Sequence, residues 1–325
     1  PHGLTGATAI AAGSGHTLAL RTDGTIVGWG QNTFGQATPP AGLGGWMAIA
    51  AGSEFSIALS SDGRAVAWGR NDFGQANVPA GAAGAVAVAA GEAHCLVLRV
   101  DGTVVGWGRN DSGQAAVPSG LSDVVAIAAG SAHSLALRAD GTVTGWGANE
   151  YGGQNVGQAT PPLGLSNVVA IAAAAGHSLA LKGDGTVVGW GYNGTGQASV
   201  PKWLNHAFAI AASAVRGFAL THGPAITDPP RRQVAIRESS VRFNVTASGT
   251  APLFYQWWFN GSPISAATRD SLVVNAVPMS EQPLVRPLPL PFTGRAEPSW
   301  GGVTMATARP HRRQDSQMLS PWLPV

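Results

Sequence analysis

The sequence is poor in cysteine, in charge and in long apolar runs, and each shortage excludes something. Cys95 is the only cysteine, so no disulfide can form within the chain. No stretch of about 18 apolar residues occurs, which argues against a membrane span. Charged residues are only 11% of the 325 residues, but 45% are hydrophobic, which is ample material for a core. With 45 glycines and 22 prolines between the apolar segments, the composition indicates many short strands and turns.

The few charges are unevenly distributed along the chain. Residues 1–222 carry nine Lys and Arg against eleven Asp and Glu, whereas residues 223–325 carry ten against six. A groove that binds nucleic acid requires an excess of positive charge. We therefore expect no nucleic acid among the partners of the first 222 residues.

A tryptophan flanked by small residues recurs through the first part of the chain. The five tryptophans are Trp29, Trp68, Trp107, Trp146 and Trp190, at spacings of 39, 39, 39 and 44 residues. A five-residue insertion explains the longer step, because residues 153–156 and one adjoining glycine lie between Tyr151 and Gln158, where other copies pass directly to Gly-Gln. A fixed period of this length indicates stacked or radially arranged supersecondary units.

Each copy has the same internal pattern, described here for residues 124–162. A run of small and β-branched residues (126–129) precedes His-Ser-Leu-Ala-Leu, which alternates polar and apolar residues as a strand does. Asp140-Gly141 suits a tight hairpin turn with positive φ, and residues 142–147 return as the next strand. A polar connection rich in glycine and proline (149–162) follows. Each unit is thus predicted to contain about three strands.

The repeated tryptophan is predicted to pack between neighbouring units, because three strands cannot bury both of their faces alone. Its burial removes about 150–250 Å² from water, which is worth about 4–6 kcal/mol as an upper bound. The residue before the tryptophan is always small: it is Gly28, Ala67, Gly106, Gly145 or Gly189. This indicates that a backbone passes close by.

Five full copies occupy residues 7–40, 46–79, 86–118, 124–162 and 168–201. A sixth copy begins at Ala207 and stops at Leu220, before its Asp-Gly turn and its tryptophan. Residues 1–4 match the end of a repeat, as in residues 118–121, so we expect the natural protein to begin earlier. The predicted fold is an all-β propeller, an incomplete ring of six or seven blades, whose half copy resembles the split blade that joins the ends of a propeller.

These repeats resemble those of the regulator of chromosome condensation family of β-propellers, in the short bacterial form that includes a secreted β-lactamase-inhibitory protein. The resemblance rests on Ala-Ala-Gly, His-Ser-Leu-Ala-Leu, Asp-Gly-Thr-Val, Gly-Trp-Gly-x-Asn and Gly-Gln, which recur in this order at constant spacing. It implies a seven-bladed ring that serves as a binding platform.

The pattern changes after Pro224. A Ser-Val-Arg-Phe-Asn-Val strand, Tyr255-Gln256-Trp257 and an Asn260-Gly261 hairpin succeed one another. They resemble a bacterial immunoglobulin-like domain without its cysteine pair, in which Trp257 matches the buried tryptophan of the third strand. We therefore predict a propeller at 1–222, a partial immunoglobulin-like β-sandwich at 223–281 and an irregular, disordered tail at 282–325, where prolines are frequent and strand periodicity is lost.

The repeated polar residues are interpreted as structural. Four histidines occupy one repeat position, at which the second copy has Phe55; they are His16, His94, His133 and His177. Positions in different blades lie too far apart to bind one metal ion, so we expect each histidine to bond its own loop. The Asp-Gly aspartates are expected in turns. Cys95 replaces the serine after the histidine, which favours a small buried residue over a reactive thiol.

We expect neither catalysis nor a bound cofactor or metal. No nucleophile elbow, phosphate-binding loop or metal-binding helix motif occurs in the sequence. Function is instead predicted where the copies differ, in the loop after each Ala-Ala-Gly and the loop after each Gly-Trp-Gly. Aromatic residues and arginines there are typical anchors of protein interfaces. The candidate partner-binding residues are Phe34, Glu54, Phe55, Arg70, Asp72, Phe73, Arg109, Asp111, Tyr151 and Tyr192, with Glu92 and Glu150 in the same loops.

The sequence favours a non-enzymatic binding platform of an exported bacterial multidomain protein, extracellular or on the cell surface, that recognises a protein or a surface polymer. Joining a propeller to an immunoglobulin-like module is typical of secreted chains, which is an analogy of fold. Three alternatives stay open: a protein inhibitor of an extracellular enzyme, a guanine-nucleotide-exchange regulator, and an enzyme such as a polysaccharide lyase.

Overall fold

A computed structural model describes residues 3–202, 204, 206–221, 225–228, 230, 240–248, 253–259, 262–275, 299–300 and 303–304. The chain divides into two compact units between Leu220 and Thr221. Apart from one 3-10 turn at Ala80–Ala82, every regular element in this part of the chain is a β-strand, which confirms the all-β class. No helix among these residues is long and apolar enough to cross a membrane. The predicted domain limits stay predictions.

The first unit contains five three-stranded sheets, one for each full repeat, and a two-stranded sheet for the half repeat. The strands of the five sheets are β1 (Ala7–Ala12), β2 (His16–Arg21) and β3 (Ile26–Gly30); β4 (Trp46–Ala51), β5 (Phe55–Ser60) and β6 (Ala65–Gly69); β7 (Ala85–Ala90), β8 (His94–Arg99) and β9 (Val104–Gly108); β10 (Val124–Ala129), β11 (His133–Arg138) and β12 (Val143–Gly147), followed by a small hairpin of β13 (Glu150–Tyr151) and β14 (Gln154–Asn155); and β15 (Val168–Ala173), β16 (His177–Lys182) and β17 (Val187–Gly191). The half repeat consists of β18 (Ala207–Ser213) and β19 (Arg216–Thr221).

In every full repeat the second strand lies in the middle and pairs antiparallel with the first and third strands. In the first sheet the Asp-Gly turn between the second and third strands has three residues, because Arg21 N donates to Thr25 O across it. Gly24 of this turn adopts the positive φ of +73°. The Asp23 carboxylate accepts hydrogen bonds from the Thr25 hydroxyl and amide. Both bonds lower the pKa of Asp23, and the bond from the hydroxyl has the larger effect. The prediction that these aspartates serve turns is confirmed.

A β-bulge at the start of each first strand explains a series of exposed apolar residues. The register between first and second strands shifts after the first residue of the strand in all five sheets. The extra residue of a bulge is left unpaired and bends the strand. The side chains at this position include Met47, Val86, Val125 and Val169, which are 53%, 43%, 54% and 56% exposed.

The repeated tryptophans and leucines fill the space between adjacent sheets. The main contacts between sheets join each first strand to the first and second strands of the preceding repeat. Leu18 and Leu20 of β2, for example, form one core cluster with Trp46 and Trp68 of the second repeat. Trp68, Trp107, Trp146 and Trp190 are buried, as the repeat pattern predicts, whereas Trp29 of the first repeat is only half-buried.

The small residue before the tryptophan is needed because a backbone passes close by, as predicted. A Cβ atom added at Gly28 would lie 2.1 Å from the carbonyl oxygen of Ala37, and one at Gly145 would lie 2.2 Å from that of Ala159. Both carbonyls belong to the loop that follows the third strand of the same repeat. This loop therefore folds back over its own sheet.

A buried backbone carbonyl joins each repeat to the next. The carbonyl oxygen of Gln158 in the fourth repeat accepts hydrogen bonds from the Ser178 hydroxyl at 2.9 Å and from Trp190 Nε1 at 3.0 Å, both in the fifth repeat. The same hydroxyl lies 2.9 Å from Nε2 of His133. Gln36 and Gln114 receive the equivalent serine and tryptophan bonds. The expectation that each histidine bonds its own loop is therefore wrong where the serine is present, because the imidazole bonds the next repeat.

The second repeat replaces this polar pair by an apolar one. Phe55 occupies the histidine position and is fully buried, and the residue at the next serine position is Cys95, also fully buried. The Cys95 thiol contacts the Gln75 carbonyl at 3.5 Å, and Trp107 Nε1 donates to that carbonyl at 3.0 Å. Burial raises the pKa of the Cys95 thiol. The prediction of a small buried cysteine is confirmed.

The half repeat lacks the partner that the last histidine requires. Arg216 and Gly217 stand where the fourth and fifth repeats have histidine and serine. Glycine has no hydroxyl, and His177 Nε2 has no hydrogen-bond partner among the described residues although the side chain is fully buried. The polar connection between repeats therefore ends at His177.

The second unit contains short paired strands in its described segments. They are β20 (Ala225–Asp228), β21 (Val241–Asn244), β22 (Thr246–Ser248), β23 (Trp258–Phe259), β24 (Ser262–Pro263), β25 (Ser271–Val274), β26 (Ser299–Trp300) and β27 (Val303–Thr304). Trp257 is buried and its Nε1 donates to Arg269 O at 2.8 Å. Asn260-Gly261 and most of the predicted disordered tail lie outside the described residues. The immunoglobulin-like domain stays a prediction.

Burial of the histidines makes the first unit sensitive to acid. It lowers the pKa of His94 to about 4, of His133 to about 3 and of His177 to about 4. An unfolded histidine titrates near pH 6.5, so below that pH the unfolded chain binds protons that the folded chain excludes. The free energy of unfolding is therefore highest above about pH 6.5 and falls toward pH 4, by about 1.4 kcal/mol per pH unit for each histidine.

We expect His133→Phe with Ser178→Cys to remove one histidine's share of this pH dependence. The double substitution copies the natural Phe55 and Cys95 pair, so the variant has a precedent within the fold. Urea unfolding gives the free energy of unfolding of the wild type and the variant at each pH between 7 and 4. The dependence of this free energy on pH should correspond to about one proton fewer in the variant. An identical slope would show that His133 is not kept neutral by the fold.

We expect Gly217→Ser to stabilise the first unit, because a hydroxyl there restores the partner that His177 lacks. Gly217→Ala is the matched control, since it removes the flexibility of glycine without adding a hydroxyl. The midpoint of thermal unfolding should be higher for Gly217→Ser than for Gly217→Ala, by an amount that corresponds to about 1 kcal/mol in the free energy of unfolding. Equal stability of the two variants would contradict the assignment of an unsatisfied His177.

Candidate protein-binding face

The two variable loops of each repeat lie at the same end of the sheets. The loop between the first and second strands lies at the end of the sheet where the second strand begins with its histidine. The third strand ends at the same end, because His16 pairs with Gly30. We call the end formed by these two sets of loops the variable-loop face. The Asp-Gly turns lie at the other end. The topology thus brings the candidate residues of different repeats to one end.

The loop after each Gly-Trp-Gly is held by its own asparagine and glutamine. Asn32 Oδ1 accepts a hydrogen bond from Ala37 N at 2.8 Å, and Gln36 Oε1 accepts one from Phe34 N at 2.8 Å. Gln36 is fully buried. The second, third and fifth repeats repeat both bonds. The variable residue, here Phe34, is therefore displayed from a loop whose base is fixed by buried polar contacts.

Arg70 joins candidate residues of the first two repeats into one cluster. Its guanidinium lies 5.2 Å from the centre of the Phe34 ring, and its Nη1 and Nε atoms lie 2.5 Å from Glu54 and 2.6 Å from Asp72. The carboxylates of Asp72 and Glu54 raise the pKa of Arg70. A cation over an aromatic face is attracted by the ring quadrupole. The side chains of Arg70 and Asp72 are 39% and 57% exposed, so this cluster is accessible from solvent.

The third repeat reproduces the cluster one step further along the face. The Arg109 guanidinium lies 5.1 Å from the centre of the Phe73 ring, and its Nε lies 2.7 Å from Asp111. Glu92 is 3.8 Å away from Nη1. The Asp111 carboxylate raises the pKa of Arg109. Two arginines at equivalent positions thus each cover the aromatic residue of the preceding repeat.

The insertion of the fourth repeat places aromatic rings against the fifth. β13 and β14 form a hairpin in which Gly152 and Gly153 adopt φ +60° and +77°. Tyr151 lies on the backbone of Gly176, where an added Cβ would be 2.4 Å from the ring. Its ring centre is 5.0 Å from that of Tyr192. A two-residue Gly-Gly connection is a sequence signal for such a hairpin, although the alignment of the repeats identifies these residues only as an insertion.

Phe55 does not belong to this surface. It is fully buried at the histidine position of its repeat, so it cannot offer its ring to a partner. Its place in a loop sequence is misleading because β5 begins at this residue. The other nine candidate residues lie at the variable-loop face, and the exposed Glu92 and Glu150 lie there as well.

The variable-loop face combines exposed rings with an excess of negative charge. Phe34 and Phe73 are 43% and 44% exposed. The loops of the five full repeats at this end contribute five carboxylates, from Glu54, Asp72, Glu92, Asp111 and Glu150, against the two guanidinium groups of Arg70 and Arg109. Such a face suits a partner that offers apolar contacts and positive charge. Among the described residues, no three His, Cys, Asp or Glu side chains cluster in a way that could hold a metal ion.

Comparisons with known proteins agree with the repeat pattern. The model of the Regulator of chromosome condensation (RCC1) repeat matches residues 7–36, 48–75, 85–114, 124–152 and 168–197. No curated protein sequence matches the chain significantly.

Solved structures of similar fold include two of the yeast protein Prp20 and one of a human protein. Yeast RCC1 (Prp20), solved with Kap60, is 23% identical, with a TM-score of 0.54 and coverage of 66% of this chain and 67% of that chain. A second structure, of Prp20p from Saccharomyces cerevisiae, is 24% identical, with a TM-score of 0.54 and coverage of 67% and 70%. Human WBSCR16 is 20% identical, with a TM-score of 0.55 and coverage of 66% and 71%. At these identities the likeness is one of fold, and the five matched segments show that residues 7–197 of this chain contain five regulator of chromosome condensation (RCC1) repeats, the repeat of RCC1-like β-propellers.

Proposed function

We propose that this propeller is a non-enzymatic platform that binds another protein through its variable-loop face. The observation that carries the proposal is the repeated cluster in which Arg70 and Arg109 each cover a half-exposed phenylalanine of the preceding repeat. Aromatic residues and arginines are the side chains that most often supply binding energy at protein interfaces. Their presentation from braced loops reduces the entropy that a partner must overcome.

The charge of this face favours a partner with a basic contact segment. Each arginine is flanked by two carboxylates, so each cluster carries net negative charge. Complementary charge speeds association and suppresses wrong partners more than it adds affinity. The phenylalanines then supply the apolar contact that gives a stable complex.

The similar yeast structures support a protein partner over a small molecule. One shows yeast RCC1 (Prp20) bound to Kap60, and the other accompanies a study of the binding properties of Prp20p to Gsp1p and histones. Those partners are partners of the yeast protein. What we transfer to this chain is the use of such a propeller to bind proteins, because the fold is shared.

The proposal that the protein is non-enzymatic rests on the tasks of its repeated polar residues. His133 and its equivalents are buried between repeats, and Ser178 and its equivalents donate to buried carbonyls. Asp23 and its equivalents accept bonds within turns. The residues with the most useful acid and base chemistry thus have structural tasks.

We also propose that the protein is exported by a bacterium and acts outside the cell or at its surface. This rests on the resemblance of residues 225–280 to an immunoglobulin-like module, a combination typical of secreted multidomain chains. Fractionation of the source cells with an antibody against the propeller tests it. Recovery of the protein in the culture medium or on the surface is the expected result, and recovery only in the cytoplasm would overturn it.

The triple variant Arg70→Ala, Phe73→Ala and Arg109→Ala tests the binding face. The partner is first captured from culture medium and purified. We expect the triple variant to bind it at least tenfold more weakly, because truncating central anchors usually costs about 1–3 kcal/mol each. Binding is measured with the full chain by calorimetry. The circular dichroism spectrum should be unchanged, because the three side chains are partly exposed.

The matched control is Arg99→Ala, Val100→Ala and Arg138→Ala. It also removes two arginines and one exposed apolar side chain, but at the end of the sheets that carries the Asp-Gly turns. This control should bind the partner as the wild type does. Equal binding by the test variant and the wild type would exclude the variable-loop face as the interface.

A further inference from the structure

The contacts between consecutive full repeats are built in two different ways. We call each contact a joint and number the joints from the first repeat onward. Three joints bring a buried histidine to the serine hydroxyl of the next repeat, with 2.9–3.0 Å between Nε2 and Oγ; these are the first (His16 and Ser56), the third (His94 and Ser134) and the fourth (His133 and Ser178). The second joint has Phe55 and Cys95 at the same two positions, and both are fully buried.

The direction of the hydrogen bonds fixes which nitrogen of each histidine carries the hydrogen. Ser178 donates its single hydroxyl hydrogen to the Gln158 carbonyl, which can only accept. The His133 ring must therefore donate from Nε2 to the Ser178 oxygen, and Nδ1 keeps a lone pair. Ser56 and Ser134 also donate to backbone carbonyls, so the histidines of the first and third joints have the same tautomer.

A second proton on Nδ1 would find no acceptor in the closed joints. Nδ1 of His16, His94 and His133 is buried without a hydrogen-bond partner in the part of the chain that the structure describes. The His133 ring lies against the backbone of Gly130, where an added Cβ would be 2.5 Å from Nδ1. A protonated ring would thus be a charged donor that contacts neither water nor an acceptor, which is costly. Opening of the joint exposes the ring to water and removes this cost.

The charged groups of the neighbouring loops are engaged elsewhere. Glu54 and Glu92 lie in the loops that precede the second strands of their repeats, and their carboxylates face Arg70 and Arg109 at the surface. The closest electrostatic influence on His133 comes from other histidines. Burial lowers the pKa of His133 most, and the neighbouring histidines lower it further. These surroundings therefore favour neutral histidines in the closed joints.

The second joint contains no group that takes up a proton in mild acid. Phe55 is apolar, and burial raises the pKa of the Cys95 thiol, which therefore stays neutral. Both residues belong to one core cluster with Val97 and Trp107, which joins the second and third repeats. Trp107 Nε1 still donates to the Gln75 carbonyl. The apolar packing and the hydrogen bond of this joint thus do not depend on pH in this range.

We propose that the propeller has a built-in acid response that weakens the three histidine joints and spares the second joint. As the pH falls below about 6.5, a histidine in an opened joint takes up a proton that the closed joint excludes. The second and third repeats then remain joined while their outer neighbours separate more often. The contact of Arg109 with Phe73 also connects these two repeats, so this part of the variable-loop face is kept in acid.

Hydrogen exchange of the full chain measures the opening of each joint separately. One backbone amide crosses each joint, at the end opposite the histidines, and donates to a glycine carbonyl of the preceding repeat; in the order of the joints these amides belong to Trp46, Ala85, Val124 and Val168. The exchange rate of each amide, divided by its intrinsic rate at the same pH, gives the opening constant of the joint.

The proposal predicts different pH profiles for these amides. From pH 6.5 to pH 4.5 the opening constants at Val124 and Val168 should rise by roughly 50-fold, the effect of one histidine that titrates near pH 6.5 only in the open joint. Trp46 should change in the same direction, because burial also lowers the pKa of His16. Ala85 should not change. An equal rise at all four amides would overturn the proposal, because the repeats would then open as one unit, and so would the absence of any rise.

Exchanging side chains between joints tests whether the histidines are the cause. Phe55→His with Cys95→Ser should give Ala85 the pH profile that Val124 has in the wild type. His94→Phe with Ser134→Cys should abolish the rise at Val124 and leave that at Val168 unchanged. Each pair copies one that the chain already uses at another joint. If the profiles of Ala85 and Val124 stay as in the wild type, the acid response does not come from the histidines and the proposal is wrong.

Discussion

The structure of the first unit depends on one buried backbone carbonyl in each of the first four repeats, that of the glutamine in the Gly-Gln pair. The carbonyl of Gln158 accepts both the serine hydroxyl and the tryptophan indole of the following repeat. A buried carbonyl without a partner costs about 1–3 kcal/mol. Since the donors come from the next repeat, this cost is avoided only when repeats are stacked in order. The hydrogen bonds therefore fix the spacing between consecutive blades, which apolar packing alone would tolerate in several arrangements.

The same glutamine also connects the interior to the surface. In the first repeat the Gln36 side chain holds the amide of Phe34 while its carbonyl receives the donors of the second repeat. The loop that displays a variable residue is thus attached to the contact that joins two blades. Substitution of the displayed residue leaves this attachment intact, because the bond uses the backbone of Phe34. This explains how the repeats can differ in their loops without losing their common architecture.

The sequence was sufficient to predict the features that lie within one repeat. The Asp-Gly turns, the buried tryptophans and the small residue before each tryptophan follow from local conformational rules and from periodicity. Contacts between repeats were harder to predict. The bond from His133 to Ser178 spans 45 residues, and nothing in a single repeat indicates that the histidine bonds its neighbour.

Only part of the candidate site could be predicted, because some of its contacts join residues of different repeats. The choice of variable loops brought together nine residues at one end of the sheets, because loop position follows from strand order. The pairing of Arg70 with Phe34 joins residues of different repeats and needed the structure. Phe55 was misassigned since its loop position suggested exposure, whereas its repeat position, shared with buried histidines, indicated burial. The matching change to Cys95 was the signal that the two residues form a pair.

The most direct test of the role of the shared carbonyl is a double-mutant cycle on the two donors to Gln114 O. Ser134→Ala and Trp146→Phe each leave one donor in place, whereas the double variant leaves the buried carbonyl without either. Urea unfolding should show that the double variant loses about 1–2 kcal/mol more than the sum of the single variants. Additive losses would contradict this role, because they would show that the shared carbonyl does not join the repeats.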